Sequence, residues 1–134
     1  MKKGTIGLII ILAILSACTN TNLVPDEKIN KIVVTKTSDN TKYQFTNKEN
    51  IQLFEDTFRD VRKVDGVLDI RKQDYDVVFY FDDHQEKTLW MWLSEESGLA
   101  MNPNNTHVGY DLNVSNVEAL RNLDWSKYKM PPEE

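Results

Sequence analysis

Hydrophobic residues in this chain recur with two different spacings, and each spacing predicts one kind of element. Alternation with a period of two, together with β-branched and aromatic residues, is typical of strands. Turn residues such as Ser38-Asp39-Asn40 and Asp83-His84 separate several of these segments and favour hairpins. The pattern predicts five strands, over residues 29–37, 43–45, 76–82, 87–93 and 107–112.

Apolar residues at spacings of three and four predict two helices. The first begins at Asn47, a candidate N-cap, and ends near Asp65-Gly66, where glycine can adopt the left-handed conformation of a helix end. The second helix begins at Ser115, which forms a capping box with Glu118. The order strand–strand–helix–strand–strand–strand–helix predicts one α+β domain over residues 29–128. We expect an antiparallel sheet of about five strands with two helices on one face.

The central hairpin carries much of the aromatic character of the chain. A turn over residues 83–86 sets Phe81 opposite Thr88, Phe79 opposite Trp90, and Val77 opposite Trp92. Both faces of this hairpin are then largely apolar, although a solvated face should be polar. Either helices and loops cover both faces, or one face is a contact surface for a partner. The candidate residues for such a surface are Trp90 and Trp92 on one face, or Tyr80 and Met91 on the other.

The N-terminus has the features of a bacterial lipoprotein signal. Lys2 and Lys3 precede an apolar run over residues 6–15, which is shorter than the roughly 20 residues that a membrane-spanning helix needs. The run ends in Leu15-Ser16-Ala17-Cys18, which resembles a lipobox. We therefore expect residues 1–17 to be removed as a signal peptide, with cleavage between Ala17 and Cys18 and a lipid on the Cys18 thiol. Residues 18–28 are predicted to be a polar tether, and residues 129–134 a frayed tail.

A lipid on Cys18 would hold the domain on the outer face of the cytoplasmic membrane. Cys18 is the only cysteine, so no intramolecular disulfide can form. Removal of residues 1–17 takes away Lys2 and Lys3 and therefore changes the formal net charge from −5 to −7. An acidic domain is a poor match for phosphate backbones, so nucleic-acid binding is not expected.

The sequence contains no recognised catalytic motif. No nucleophile elbow, metalloprotease helix, paired-cysteine motif or P-loop is present, and Ser94 and Ser97 have no base beside them. We therefore predict that the protein is not an enzyme and needs no cofactor. Asp82, Asp83 and His84 in the hairpin turn carry oxygen and nitrogen ligands for a cation. Polar turn residues are usually just solvated, so these three are weak metal candidates only.

From about Lys31 to Leu123 the sequence resembles small Bacillus-type lipoproteins that carry a YhfM-like domain. The resemblance rests on an early IVVTK strand, a helix ending near Gly66, the segments DYDVVFYFDD and TLWMWL, and a later GYDLN strand. It implies a Gram-positive source, and it brings no active-site residues with it.

Two hypotheses about function follow from these observations. In the first, the anchored domain is a non-enzymatic interaction module that binds an envelope or secreted protein through the aromatic hairpin. In the second, it binds a small ligand or cation with the acidic turn and the segment Ser94–Asn105. Gly98 and Pro103 indicate a long loop in that segment.

Overall fold

The computed structural model describes residues 20–64 and 71–132. The predicted signal peptide, Ala17, Cys18 and the predicted helix end at Asp65-Gly66 lie outside these residues. The strands are β1 (Asn20–Thr21), β2 (Ile29–Lys36), β3 (Lys42–Phe45), β4 (Val61–Val64), β5 (Tyr75–Phe81), β6 (Glu86–Leu93), β7 (Gly98–Asn102) and β8 (Asn105–Asp111). The helices are α1 (Lys48–Arg59), α2 (Val114–Arg121) and a 3₁₀ turn (Trp125–Tyr128).

Within the described residues the strands form one antiparallel sheet in the order β1-β4-β8-β7-β6-β5-β2-β3. The prediction of an α+β fold with an antiparallel sheet and two α-helices is confirmed. The prediction of about five strands is wrong, because the described part of the sheet has eight, of which β1 comprises two residues. The additional strands come from the predicted tether, the predicted end of the first helix and the predicted long loop.

Helix α1 is shorter than predicted. Phe54 and Phe58 lie on its buried face, and the apolar spacing continues to Val61 and Val64. These last two residues belong to β4, which pairs with β8, and Arg62 lies opposite Asp111. The spacing of three between Val61 and Val64 is compatible with a helix but does not exclude a strand. Valine is β-branched and therefore favours a strand over a helix.

The predicted N-cap position is correct for α1 and wrong for α2. Asn47 occupies the N-cap position of α1, but its side chain makes no capping hydrogen bond. The capping box at Ser115 is wrong, because Asn113 is the N-cap of α2 and its side-chain oxygen accepts from the backbone N–H groups of Ser115 and Asn116. Asparagine and serine are comparably good N-caps, so the sequence pattern alone does not choose between them.

The predicted register of the central hairpin is also wrong. Val78 lies opposite Thr88 and Val77 opposite Leu89, a displacement of three positions from the prediction. A three-residue turn over residues 82–84 causes it: the His84 N–H donates to the Phe81 carbonyl at 3.1 Å, and His84 has a φ of 68°. Three-residue hairpin loops commonly need such a left-handed residue. A slip by an odd number of residues exchanges the faces of one strand relative to the other.

The predicted loop over residues 94–105 is largely a second hairpin. β7 pairs with β6 on one side and with β8 on the other, so that Ala100 lies between Met91 and Tyr110. Pro103 and Asn104 form the turn between β7 and β8, because Asn102 pairs with Asn105.

One face of the sheet packs against the helices and forms the core. Phe58 of α1 contacts Phe79 of β5 with ring centroids 5.5 Å apart, and Phe54 contacts Phe45 at 4.9 Å. Helix α2 contributes Val117 and Leu120 to the same core. The sheet residues of this cluster include Ile32, Val34, Val77, Phe79, Phe81, Leu89, Met91 and Ala100.

Both chain ends are bound to the domain more closely than predicted. In the predicted tether, Thr21 pairs with Val61, the Leu23 N–H donates to the Phe58 carbonyl at 3.0 Å, and Val24 is buried. In the predicted frayed tail, the Met130 N–H donates to the Lys42 carbonyl at 2.8 Å. Backbone hydrogen bonds therefore hold both terminal segments against the domain, although their polar composition predicts that they would be loosely attached.

Candidate binding groove

The face of the sheet opposite the helices, here called the outer face, is only partly buried. Because side chains alternate along a strand, Val33 of β2, Val78 and Tyr80 of β5, and Thr88 and Trp90 of β6 point to this face. All five are half-buried, whereas their neighbours on the helix face are almost completely buried. The outer face is therefore a surface of mixed polarity in partial contact with solvent.

A shallow groove of about 640 Å³ runs across the middle of the outer face. Its floor contains Val78, Thr88 and Trp90, and the turn between β7 and β8 forms one wall. The volume lies within the range of about 300–1,000 Å³ that is usual for ligand sites. The groove is lined by Thr35, Asp76, Val78, Glu86, Lys87, Thr88, Trp90, Asn102, Pro103 and Asn104.

The three tryptophans of the chain differ in how their indole N–H groups are used. Trp92 donates to the backbone carbonyls of Arg71 and Lys72 at 2.8 and 3.1 Å, and Trp125 donates to the Leu120 carbonyl at 2.8 Å. No residue in the described part of the chain accepts a hydrogen bond from Trp90. Of the three tryptophans, Trp90 is the one whose indole N–H makes no hydrogen bond to a described residue and whose side chain lines the groove.

Polar groups surround the Trp90 ring. Asp76 lies opposite Trp90 in the β5–β6 pair, and its Oδ1 accepts from the Gln73 side-chain amide at 2.8 Å. On the other wall, the Asn102 side-chain oxygen accepts from the Asn104 N–H at 2.9 Å. Asp76 and Glu86 carry two negative charges on this face, whereas Lys87 pairs with the buried Phe79 and points to the helix face.

The structure divides the four predicted partner residues between the two faces. Tyr80 and Trp90 lie together on the outer face, where the Lys31 ammonium sits 4.8 Å from the Tyr80 ring centroid. Trp92 is also on the outer face but is only 7% exposed. Met91 is completely buried beneath the helices, so its assignment to an accessible surface is wrong. The incorrect register of the hairpin, which grouped Tyr80 with Met91, is the cause of this error.

The weak metal candidates Asp82, Asp83 and His84 form the exposed hairpin turn. The Asp83 carboxylate accepts from the Gln85 N–H at 3.0 Å and so stabilises the turn itself. Residues 20–64 and 71–132 contain no group of three or more acidic, histidine or cysteine side chains placed to hold a metal ion. Of the polar residues near this turn, Glu86 lines the groove.

Sequence reasoning missed the contribution of Asn102, Pro103 and Asn104 to the groove. The second hypothesis did include them in the segment Ser94–Asn105, but as parts of a loop. The Pro103-Asn104 pair lies between two short alternating segments and is a turn signal, so it could have predicted that these residues form a hairpin turn. The serines of that segment lie elsewhere, where the Ser94 and Ser97 hydroxyls are 2.7 Å from each other.

The clearest pKa shifts occur outside the groove, at the beginning of β5. Burial alone would raise the pKa of Asp74, but hydrogen bonds from the Arg71 guanidinium and the Leu93 N–H, with the Arg71 charge, lower it below its usual value of 3.8. Burial raises the pKa of Tyr75 above its usual value of 10.0, and the nearby Asp74 charge adds to this. The backbone N–H of Asp74 donates to the Met91 carbonyl and its carbonyl accepts from the Thr37 N–H, both at 3.0 Å. Asp74 therefore connects β2, β5 and β6 and serves the fold.

A second depression of about 620 Å³ lies between the β2–β3 turn and the C-terminal segment. Asp39 lines it, and hydrogen bonds from Thr41 lower the pKa of the Asp39 carboxyl below its usual value. Those bonds stabilise the turn, and the rest of the lining includes two prolines and two lysines of the surface. No aromatic side chain faces this depression.

Across the described ranges, none of the helices has the length and apolar character that crossing a membrane requires.

Comparison with known proteins identifies the family. Neither the curated proteins nor the solved structures contain a significant match to the chain. The family model described as YhfM protein matches residues 25–130, which is most of the chain, and the protein therefore belongs to the YhfM family.

Proposed function

We propose that this protein is a lipid-anchored, non-enzymatic binding module on the outer face of the cytoplasmic membrane of a Gram-positive bacterium. The groove on the outer face of the sheet is its binding site. The single observation that carries the proposal is Trp90, a half-buried aromatic residue that lines the groove on the face of the central hairpin opposite the helices.

The anchoring part of the proposal rests on the sequence before residue 20. The basic start, the apolar run and Leu15-Ser16-Ala17-Cys18 support lipidation of Cys18. The fold adds a consequence, because Asn20 already pairs with Arg62 in the sheet. Two residues of extended chain span at most about 7 Å, so a lipid on Cys18 would hold the β1–β4 edge of the domain close to the bilayer.

The non-enzymatic part rests on the chemistry of the groove. Functional acids and bases usually have strongly shifted pKa values and lie in clefts, whereas the shifted groups of this chain lie in the β2–β3 turn and at the beginning of β5. The groove contains acceptors, amides and an aromatic ring without a nucleophile–base pair. Such a set holds a ligand and fixes its orientation.

The structure gives less support to a broad protein-binding patch than to a ligand site. Met91 and Trp92 are buried, so the apolar area on the outer face is smaller than the sequence suggested. Among the described residues, Val114 is the large hydrophobic side chain that is well exposed, and it lies in α2 away from the groove. A ligand with both polar and apolar surface fits the remaining groove better than a large hydrophobic partner.

Photo-crosslinking in living cells tests this proposal. A photoreactive amino acid replaces Thr88 in the groove, and in a matched control it replaces Glu49, which is exposed on α1 behind the opposite face. We expect the Thr88 variant to form adducts that the Glu49 variant does not form. Equal adduct patterns from the two positions would contradict the assignment of the groove as the binding site.

A further inference from the structure

We propose that the ligand of the groove is an uncharged carbohydrate chain, bound with a pyranose ring stacked on Trp90. This inference rests on the proposed function and adds the chemical class of the ligand. A pyranose ring has one face of C–H groups and a rim of hydroxyl groups. The groove presents the complementary arrangement, an aromatic ring in its floor and hydrogen-bonding side chains on its walls.

The aromatic part of the argument concerns the position of the Trp90 ring. Trp92 contacts Trp90 edge to face, with centroids 6.5 Å apart and an interplanar angle of 87°. The contact supports the Trp90 ring from one side, while the β7–β8 turn stands beside the groove. The negative face of an aromatic ring attracts partly positive hydrogen atoms, and the C–H face of a sugar supplies several of them.

The polar part concerns the side chains around that ring. Asp76 and Glu86 accept hydrogen bonds, and Asn104 both donates and accepts. Carboxylate and amide groups have two polar atoms each and can hold two adjacent hydroxyls of one sugar. The Asp76 carboxylate is already oriented by the Gln73 amide at 2.8 Å, which leaves its second oxygen for a ligand.

The charge of the groove distinguishes between classes of glycan. Asp76 and Glu86 give the groove two negative charges, and the whole chain has a net charge of −5. Phosphate-containing polymers would be repelled by this field. An uncharged chain avoids that repulsion, and its hydroxyls can donate to both carboxylates.

Titration of the purified full-length protein with soluble hexasaccharides tests the inference. The probes are uncharged hexamers of glucose, N-acetylglucosamine, mannose and galactose, with polyglycerol phosphate as the anionic comparison, in a detergent without a sugar headgroup. We expect at least one uncharged hexamer to bind, and Trp90→Ala to raise its Kd by about tenfold or more, as expected for the loss of one aromatic stacking contact. Trp90→Tyr should retain most of the affinity.

Val114→Ala is the matched control, because Val114 is 60% exposed and lies in α2. It removes exposed apolar surface away from the groove and should leave the Kd unchanged. Urea denaturation of each variant establishes that it is folded at the temperature of the titration. If Trp90→Ala is unfolded there, Thr88→Lys, which places a long charged side chain in the groove floor, takes its place.

Absence of binding by all four hexamers would overturn the inference, as would equal Kd values for wild type and Trp90→Ala or tighter binding of polyglycerol phosphate. If photo-crosslinking at Thr88 still captures a molecule in these cases, the binding-module proposal stands with a different ligand. If neither experiment detects binding, both proposals fail.

Discussion

Trp90 and Trp92 are two residues apart in β6 and point to the same face of the sheet, yet their surroundings differ. The indole N–H of Trp92 is bound by the Arg71 and Lys72 carbonyls, and its ring is almost completely buried. Trp90 is half-buried, lines the groove and has no such acceptor among the described residues. We therefore assign Trp92 to the stability of the fold and Trp90 to binding.

Phenylalanine substitutions separate these two roles. Trp92→Phe should lower the free energy of unfolding by about 1–3 kcal/mol, because it removes the donor to two carbonyls and leaves space in a packed site. Trp90→Phe removes no described hydrogen bond and should change the free energy of unfolding by less than about 0.5 kcal/mol. Urea denaturation of both variants measures the difference, and a larger loss for Trp90→Phe would contradict the assignment.

Asp74 makes stability depend on pH in a defined direction. Its pKa in the folded protein is lower than the usual 3.8, so the unfolded state takes up the proton first as the pH falls. The stabilisation by Asp74 is therefore complete above about pH 4–5 and decreases as the pH falls through the lower pKa of the folded state.

Asp74→Asn should thus lower the free energy of unfolding by about 1–2 kcal/mol at pH 7, and the difference from wild type should shrink at pH 3. Urea denaturation at the two pH values measures it. Glu96→Gln, at an exposed position between β6 and β7, is the control and should show little effect at either pH. A deficit for Asp74→Asn that is equal at pH 7 and pH 3 would argue against the charge as the cause.

At the scale of elements, the contact between α2 and the sheet depends on the small size of Gly98 at the beginning of β7. A Cβ atom at this position would lie 2.7 Å from Val117 Cγ2 and 3.0 Å from Leu112 Cδ1. Moving side chains of a packed core to make room for an added atom lowers the free energy of unfolding. Gly98 therefore allows α2 to lie directly on β7.

Gly98→Ala should lower the free energy of unfolding by about 1–3 kcal/mol. Gly109→Ala is the matched control, because its Cβ would lie 3.3 Å from Leu99 Cδ1 and requires a smaller shift, so a loss of less than about 1 kcal/mol is expected. Thermal or urea denaturation compares the two variants. Equal losses would show that the close approach of α2 is not what makes Gly98 necessary.

The elements that the sequence predicted correctly are those with long, regular patterns. The α+β class, β5, β6 and most of α1 follow directly from periodicity, because many residues contribute to each pattern. The short strands β4 and β7 could not be predicted in this way. Val61–Val64 continues a helical spacing, and Gly98–Asn102 contains a glycine and precedes a proline. Their strand conformation depends on pairing with neighbours in the sheet, β1 and β8 for β4 and β6 and β8 for β7.

The candidate site depended on one local detail. A single left-handed residue, His84, shortens the hairpin turn and sets the register, and the register decides which aromatic residues share a face. Tyr80 and Trp90 were named from the sequence, but their grouping on one face needed the structure. The wall formed by Asn102–Asn104 depends on the β7–β8 pairing, for which the Pro103-Asn104 turn signal was the one local indication.

For the molecule as a whole, the proposed lipid anchor would hold an acidic domain beside the membrane with its β1–β4 edge towards the bilayer. The segment around Leu23 and Val24 packs onto the domain, because the Leu23 N–H donates to the Phe58 carbonyl and Val24 is buried. The groove on the outer face extends over β2, β5 and β6 and the β7–β8 turn, away from the β1–β4 edge in the strand order. This arrangement leaves the groove accessible to ligands of the cell envelope.

The anchor itself is tested with Cys18→Ser. We expect this variant to lose metabolic labelling with a fatty acid and to appear in the culture supernatant, because serine offers no thiol for the lipid. Thr19→Ser, a neighbouring change that retains the cysteine, is the control and should remain in the membrane fraction. Retention of Cys18→Ser in membranes after high-salt washing would contradict lipid anchoring.

Protection of the groove in living cells tests the central claim most directly. Thr88→Cys places the one free thiol of the anchored protein in the groove floor, since a lipid would occupy Cys18, the single cysteine of the natural chain. Glu49→Cys provides an exposed thiol on α1 as the control. We expect a membrane-impermeant maleimide to label Thr88→Cys several-fold more slowly on cells than on the purified protein, while Glu49→Cys reacts equally fast in both. Equally fast labelling of Thr88→Cys on cells and in purified form would mean that nothing occupies the groove in the envelope, and the groove would then not be the binding site.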